Sequence, residues 1–326
     1  MKDDAVRAEQ QEPGRGRDAS TPNQIPKTGL KDVFWRLYAA INEDRVMLVA
    51  AGVTYYLLLA LFPAISALVS LYGFFANPNQ IAERIQFLSS VMPSEALDIF
   101  IEQLRSLATQ DGSTLSIGLI AGLGIALWSS NNGIKALFQA MNVAYEEEEK
   151  RSFLKLTGVS LLFTLGTLIL IIVLTVAVGI VPAVLSFLSI GGIAETAIRL
   201  LRWPLMLLFV MGGIALLYRY GPSREPAKAR WLTWGTGFAT VFWLIASIAV
   251  SYYLSNFANY NATYGTLGAL IGFMVWTWVS VVIVLVGAEL NAELEHQTAQ
   301  DSTTGPDEPM GKRGAYMADH LGKASS

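Results

Sequence analysis

Cysteine is absent from the 326 residues, which excludes disulfides, a thiolate metal site and a cysteine nucleophile, and leaves the redox compartment open. Histidine is nearly absent too. His296 and His320 both fall in the polar C-terminal region, so a zinc or di-metal hydrolytic centre has little to draw on beyond scattered carboxylates. Charge is equally scarce, at 15% of positions against 53% apolar, where soluble domains carry about 25% charged residues. The net charge of -3 and tails of mixed sign provide no basic face, so no nucleic-acid partner is expected. Missing as well are a Gly-x-x-x-x-Gly-Lys phosphate loop, a His-Glu-x-x-His pair, a Gly-x-Ser-x-Gly elbow and a mid-membrane carboxylate pair. No catalytic residue, cofactor or metal is therefore expected, and the chain reads as a non-enzyme.

What the sequence has instead is long runs without any Asp, Glu, Lys or Arg, as a bilayer core of about 30 Å demands of helices rising 1.5 Å per residue. The first run, Val46 to Phe75, carries Pro63 near its middle and predicts one kinked span. Gln80 to Gln110 is amphipathic at helical spacing and interrupted at Pro93, which predicts two short helices lying on the membrane surface or against the spans. A second span starts near Leu115 and ends in the polar stretch Ser129-Ser130-Asn131-Asn132-Gly133. The third runs from Lys155 to about Val181, ahead of Pro182, with Leu185 to Ile193 as a short external segment. Three more follow at about Trp203 to Tyr218, Leu232 to Leu254 and Gly265 to Ala288. The expected fold class is all-α, a polytopic membrane bundle of six transmembrane helices with a periplasmic amphipathic helical segment between the first two. Residues 1-30 and 298-326, rich in Gly, Pro, Gln and charge, are expected to be disordered cytoplasmic tails flanking a membrane domain at 31-297. No apolar core for a cleavable signal precedes the first span, which is expected to act as its own insertion signal.

Lys and Arg counts give the orientation independently, because short cytoplasmic loops retain basic residues. Eight precede the first span; the next connection holds only Arg84 and Arg105; the one after holds Lys135, Lys150, Arg151 and Lys155. Arg199 and Arg202 come next, then Arg219, Arg224, Lys228 and Arg230, then none in Ser255 to Tyr264, then Lys312, Arg313 and Lys323. Rich and poor connections alternate, which places both termini in the cytoplasm and favours six spans over seven.

Several polar groups are candidates for a substrate path. Asn131, Asn132 and Lys135 end the second span, and Glu289, Asn291 and Glu293 end the sixth, with the two glutamates four apart on one helix face. Both sets reach one membrane boundary, close to Asp44 and Arg45, so Lys135 and Glu289 are expected to pair, whether to pin helix ends or to act on a substrate. Asn256, Tyr260, Asn261 and Tyr264 crowd the link between the fifth and sixth spans, readable as a capped turn with interfacial tyrosines or as a substrate-contacting mouth. Gly118/Gly122 and Gly268/Gly272 allow close helix approach, either within the chain or at a homo-oligomer seam. Glu146 to Glu149 reads as a solvated helix end.

Ala51-Gly52-Val53-Thr54-Tyr55-Tyr56 with Leu61-Phe62-Pro63, and Trp128 to Gly133, resemble the YihY/virulence factor BrkB family of bacterial membrane proteins. Leu217-Tyr218-Arg219-Tyr220-Gly221-Pro222, Asn256 to Gly265 and Gly287 to Glu293 extend the resemblance over about Val33 to Glu295. It implies an integral protein of the bacterial inner (plasma) membrane with six helices. On activity it implies little: the family carries a ribonuclease label for historical reasons and a virulence name that describes a phenotype, and its molecular role, where assigned, is transport.

Two functions are thus expected to compete. One is translocation of an amphipathic molecule or an ion, past Tyr55, Tyr56, Pro63 and the intramembrane asparagines. The other is a non-transporting scaffold or accessory subunit in cell-envelope biogenesis. The expected partners are membrane lipids and a small-molecule, lipid or ion substrate. A water-filled cavity lined by Tyr55, Asn132 and Asn261 would favour the first and a solid bundle the second; ribonuclease activity ranks last.

Overall fold

The computed structural model describes residues 2–59, 112–175, 193–256 and 267–325. Within them the chain is all-helical, and the one β feature is an isolated bridge between Ala227 and Thr303. The helices are α1 (Lys2–Gln11), α2 (Lys27–Glu43), α3 (Val46–Leu59), α4 (Gly112–Ala144) and α5 (Phe153–Thr175). They continue as α6 (Ile193–Tyr220), α7 (Thr233–Asn256), α8 (Leu267–Glu295) and the short α9 (Tyr316–Asp319).

Four helical stretches are long and apolar enough to cross a membrane: Phe153–Ile171, Leu200–Tyr220, Thr233–Leu254 and Leu270–Glu295. They correspond to the third to sixth expected spans. Large apolar side chains such as Leu162, Ile169, Leu201, Leu208 and Ile248 point outward from them, an arrangement that water would penalise at about 25 cal/mol per Å² and that lipid satisfies. α3 is a shorter apolar helix that reaches the limit of the described residues, and α4 contains the expected second span. Pro63, Gln80 to Gln110, Pro182, Leu185 to Gly192, and the link holding Tyr260, Asn261 and Tyr264 lie outside the described residues.

The helices converge where α3, α4 and α8 meet. Val46, Ala50 and Val53 from α3, Ile134, Phe138 and Met141 from α4, and Val281, Leu285, Ala288 and Ala292 from α8 share one buried core, their three- and four-residue spacings each forming one helix face. Close approach is set by glycine. A Cβ on Gly133 would lie 2.8 Å from Leu57 Cδ2, so the Asn131-Asn132-Gly133 stretch is where α3 crosses α4. A Cβ on Gly235 would strike the Gly287 carbonyl, which brings the backbones of α7 and α8 together. Gly272 also faces α7, its Cβ position 3.1 Å from Leu254 Cδ1, so this member of the Gly268/Gly272 pair packs within the chain.

The expectation of disordered tails is corrected. Arg17 is 1% exposed, and its guanidinium donates to the carbonyls of Gln297 at 3.1 Å and Gly322 at 2.7 Å and to Glu12 Oε2 at 2.5 Å. Asp32 receives Arg15 at 2.6 Å and both the backbone N–H and the hydroxyl of Ser325, at 2.9 and 2.6 Å. Arg313, also buried, donates to Ala299 O at 2.8 Å and Ala318 O at 2.6 Å. The N-terminal segment supplies charge to the C-terminal one through Arg17 and Asp32, and Arg313 gathers carbonyls of its own tail, so the two together close a polar cap at one end of the bundle that neither composition reveals alone.

Candidate functional site

The polar end of α8 organises this cap. Its last turns read Gly287-Ala288-Glu289-Leu290-Asn291-Ala292-Glu293-Leu294-Glu295, and at 100° per residue Glu289 and Glu293 share one side while Asn291 and Glu295 share the other. On the first side Glu293 accepts Arg36 Nε of α2 at 2.5 Å, with the His296 ring 3.7 Å away. On the second, Asn291 Oδ1 accepts the Gly235 N–H at 2.8 Å, and Glu295 pairs with Arg224 at 2.6 Å. One helix end thus holds α2, the start of α7 and the loop after α6 through separate polar contacts.

Glu289 is the exception, because its neighbour is another acid. It is 1% exposed, and its carboxyl is within hydrogen-bonding reach of the Asp44 carboxyl at the α2–α3 joint. One of its oxygens, Oε2, has no hydrogen-bond partner among the described residues. Asp44 is held there by the backbone: its N–H donates to Ala40 O at 2.9 Å, and Arg45 follows in the left-handed region at φ 51° to turn the chain into α3. Burial pushes the Asp44 carboxyl above the ordinary carboxylate range; the hydrogen bond with Glu289 opposes this, and the charges of Glu146, Glu43 and Glu293 reinforce it. Two carboxyl groups in contact cannot both ionise cheaply, and a hydrogen bond between them requires a proton. Chemically, the pair is a place to take up and release one.

The expected pairing of Lys135 with Glu289 is corrected. Lys135 Nζ donates to Thr157 Oγ1 at 3.0 Å and sits over the Phe153 ring at 5.1 Å, which directs it to α5. Asn131 is buried with Oδ1 unpartnered among the described residues, and Asn132 is half-buried. Tyr55, at 56% exposed, and Tyr56 face outward with their rings edge-on. Asn261, the third member of the trio expected around a cavity, lies outside the described residues, as do Pro63, Tyr260 and Tyr264. Asn256 is the last residue of α7.

The Glu146 to Glu149 run follows the end of α4 with Glu146, Glu148 and Glu149 exposed, as expected of a solvated helix end, and it also forms a structural joint. α4 closes with Glu147 N–H to Asn142 O at 2.8 Å and Glu146 N–H to Val143 O at 3.0 Å, with Glu146 at φ 51°, the paired bonds of a Schellman cap. Asn142, buried, accepts the Ser223 N–H at 2.7 Å and donates to Glu149 at 3.1 Å. Glu149 also takes Arg151 at 2.7 Å. Partial burial pushes the Glu149 carboxyl up, but the bonds from Arg151 and Asn142 outweigh it and hold it at about 2. Arg224 stays charged for the same kind of reason: burial opposes its charge and Glu295 overcomes that. Sequence reasoning missed Arg36, Asn142, Arg224 and Glu295, polar residues beyond the expected spans whose partners are distant in the chain. Among the described residues no group of three or more His, Asp or Glu side chains is arranged to hold a metal ion.

Comparison with known proteins agrees with the membrane character of this architecture. A family model described as Virulence factor BrkB matches residues 37–311. The chain is 32% identical over 274 residues, 81% of its length and 94% of the relative's, to a ribonuclease-like protein YfkH of Bacillus subtilis (strain 168). It is 23% identical over 266 residues, again 81% and 94%, to the UPF0761 membrane protein NTHI0384 of Haemophilus influenzae (strain 86-028NP). No solved structure matches.

Proposed function

The chain belongs to the virulence factor BrkB family of membrane proteins, and from that premise we propose that it is a proton-responsive translocator of an amphipathic molecule or an ion. The observation that carries this is the Asp44–Glu289 carboxyl pair. A purely structural contact at the end of a membrane helix is better served by an ion pair of the Arg36–Glu293 kind; two acids sharing a proton add a titratable joint between α3 and α8. Losing the proton leaves two like charges in contact and favours separation of the helices, which is how protonation can drive a change of access.

The reading includes six spans in the bacterial inner membrane with the polar cap in the cytoplasm. The alternating Lys and Arg counts support it, as does the gathering of the N-terminal tail, the α4–α5 and α6–α7 connections and the C-terminal tail at one end. Reporter fusions after Glu149, Arg224 and Thr298 are expected to read cytoplasm, and those after Thr109 and Asn259 periplasm. A ribonuclease role is not part of the proposal: His296 lies beside Glu293 and His320 stacks on Tyr316 at 4.1 Å.

The test is reconstitution in liposomes with a short-chain fluorescent phosphatidylglycerol as probe and an imposed pH gradient. Probe movement that follows the gradient in the wild-type protein and loses that dependence in Glu289→Gln and Asp44→Asn supports the proposal. Movement indifferent to both the gradient and the substitutions, or no movement above empty liposomes, overturns it.

A further inference from the structure

Two cavities, each of about 560 Å³, lie end to end between α5 and α6 and share Tyr220. The first opens where α5 begins and α6 ends. It is lined by Lys150, Arg151, Lys155, Arg219 and Arg224, with Glu225 as the opposing charge. Lys150, Arg151 and Arg224 are already matched by Glu147, Glu149 and Glu295. Lys155 and Arg219 have no carboxylate partner among the described residues, and the Arg219 Nε is buried without an acceptor. Lys155 is exposed and Arg219 half-buried with its guanidinium over the Tyr220 ring at 5.5 Å, which leaves both cations and the one unmet N–H available to an anion. The start of α5 adds to the same field, since the free N–H groups and dipole of a 23-residue helix favour negative charge at its first turn.

The second cavity is apolar, lined by Leu162, Gly166 and Leu170 from α5 and Phe209, Gly212 and Leu216 from α6. A Cβ on Gly166 or on Gly212 would meet nothing within 4 Å, so these glycines keep a furrow open where any larger residue would fill it. From Leu162 to Val173 the helix rises about 16 Å at 1.5 Å per residue, roughly one leaflet of a 30 Å hydrocarbon core. The furrow is continuous with the outward apolar surface of Leu165, Ile169 and Leu208.

We propose that the α5–α6 cleft binds an anionic lipid, its phosphate between Lys155 and Arg219 and one acyl chain along the glycine furrow past Tyr220. A free phosphate would use only the first cavity; a zwitterionic lipid brings a phosphate but also an ammonium, which the surplus of basic side chains there disfavours, so an anionic lipid fits both cavities best. The site is independent of the Asp44–Glu289 pair and stands whether or not the protein translocates anything.

Native mass spectrometry of the detergent-purified full chain tests this, titrated separately with dioleoyl phosphatidylglycerol, dioleoyl phosphatidylcholine and inorganic phosphate. The expected result is retention of phosphatidylglycerol about tenfold above phosphatidylcholine, no comparable retention of phosphate, and loss of the preference in Lys155→Gln/Arg219→Gln. Gly212→Leu, whose Cβ would meet nothing within 4 Å, is expected to lower phosphatidylglycerol retention while leaving the melting temperature in lipid-free detergent unchanged. Equal retention of the two lipids, phosphate retained as well as phosphatidylglycerol, or full retention by a stably folded Gly212→Leu would overturn the proposal.

Discussion

Arg224 and Glu295 meet at 2.6 Å with their side chains 2% and 0% exposed, an ion pair withdrawn from water that ties the loop after α6 to the last residue of α8. Ser302 of the C-terminal tail adds a hydroxyl to the same carboxylate at 2.7 Å. Removing one partner strands the other. Arg224→Met or Glu295→Gln alone is expected to cost about 3–5 kcal/mol, and the apolar double replacement to recover most of it. Thermal melting of the detergent-solubilised variants decides this; a single variant melting with the wild type would contradict the burial.

The glycines of the bundle are not equivalent. At Gly235 an added methyl would strike the Gly287 carbonyl and Asn291, whereas at Gly212 it would meet open space. Gly235→Ala should lose about 1–3 kcal/mol through forced separation of α7 from α8. Gly212→Ala should stay within about 1 kcal/mol of the wild type and on the stable side. The two melting curves, run side by side, test the α7–α8 crossing directly.

The pH dependence follows from Glu149, whose carboxyl is held at about 2 against about 4.3 in an unfolded chain. With the folded value depressed, its contribution is fully present above the unfolded value and is lost as pH falls from about 4.3 toward 2. Glu149→Gln is expected to flatten the melting profile across that window and to leave its shape near neutrality unchanged. An unaltered acid limb would mean that Arg151 and Asn142 do not hold the carboxylate as described.

Limited trypsin digestion reads the cap. Arg17 is buried and bonded to carbonyls of the C-terminal segment, and Arg313 is buried and bonded to carbonyls of its own tail, so native protein should resist cleavage after either residue. Asp32→Asn weakens the Arg15 and Ser325 contacts and should open the site after Arg17 first. Rapid cutting at both positions in the wild-type protein would restore the picture of free tails.

Hydropathy made the bundle legible in the sequence. The spans at α5 to α8 follow from charge-free runs, because insertion in lipid is a one-body property that each segment carries by itself. The polar face of α8, with Glu289 and Glu293 four residues apart, was legible for the same reason. Which partner each polar group meets was not. Lys135 turns to Thr157 and Glu289 to Asp44, and Arg17 bonds a carbonyl 280 residues away. Such pairings depend on how α2, α3 and α8 are rotated about their axes, which glycine contacts such as Gly133 with Leu57 help set. The tails show the difference most plainly: their composition describes segments unable to bury a core of their own, and only the tertiary structure supplies the contacts, between the tails for Arg17 and within one tail for Arg313, that satisfy their charges.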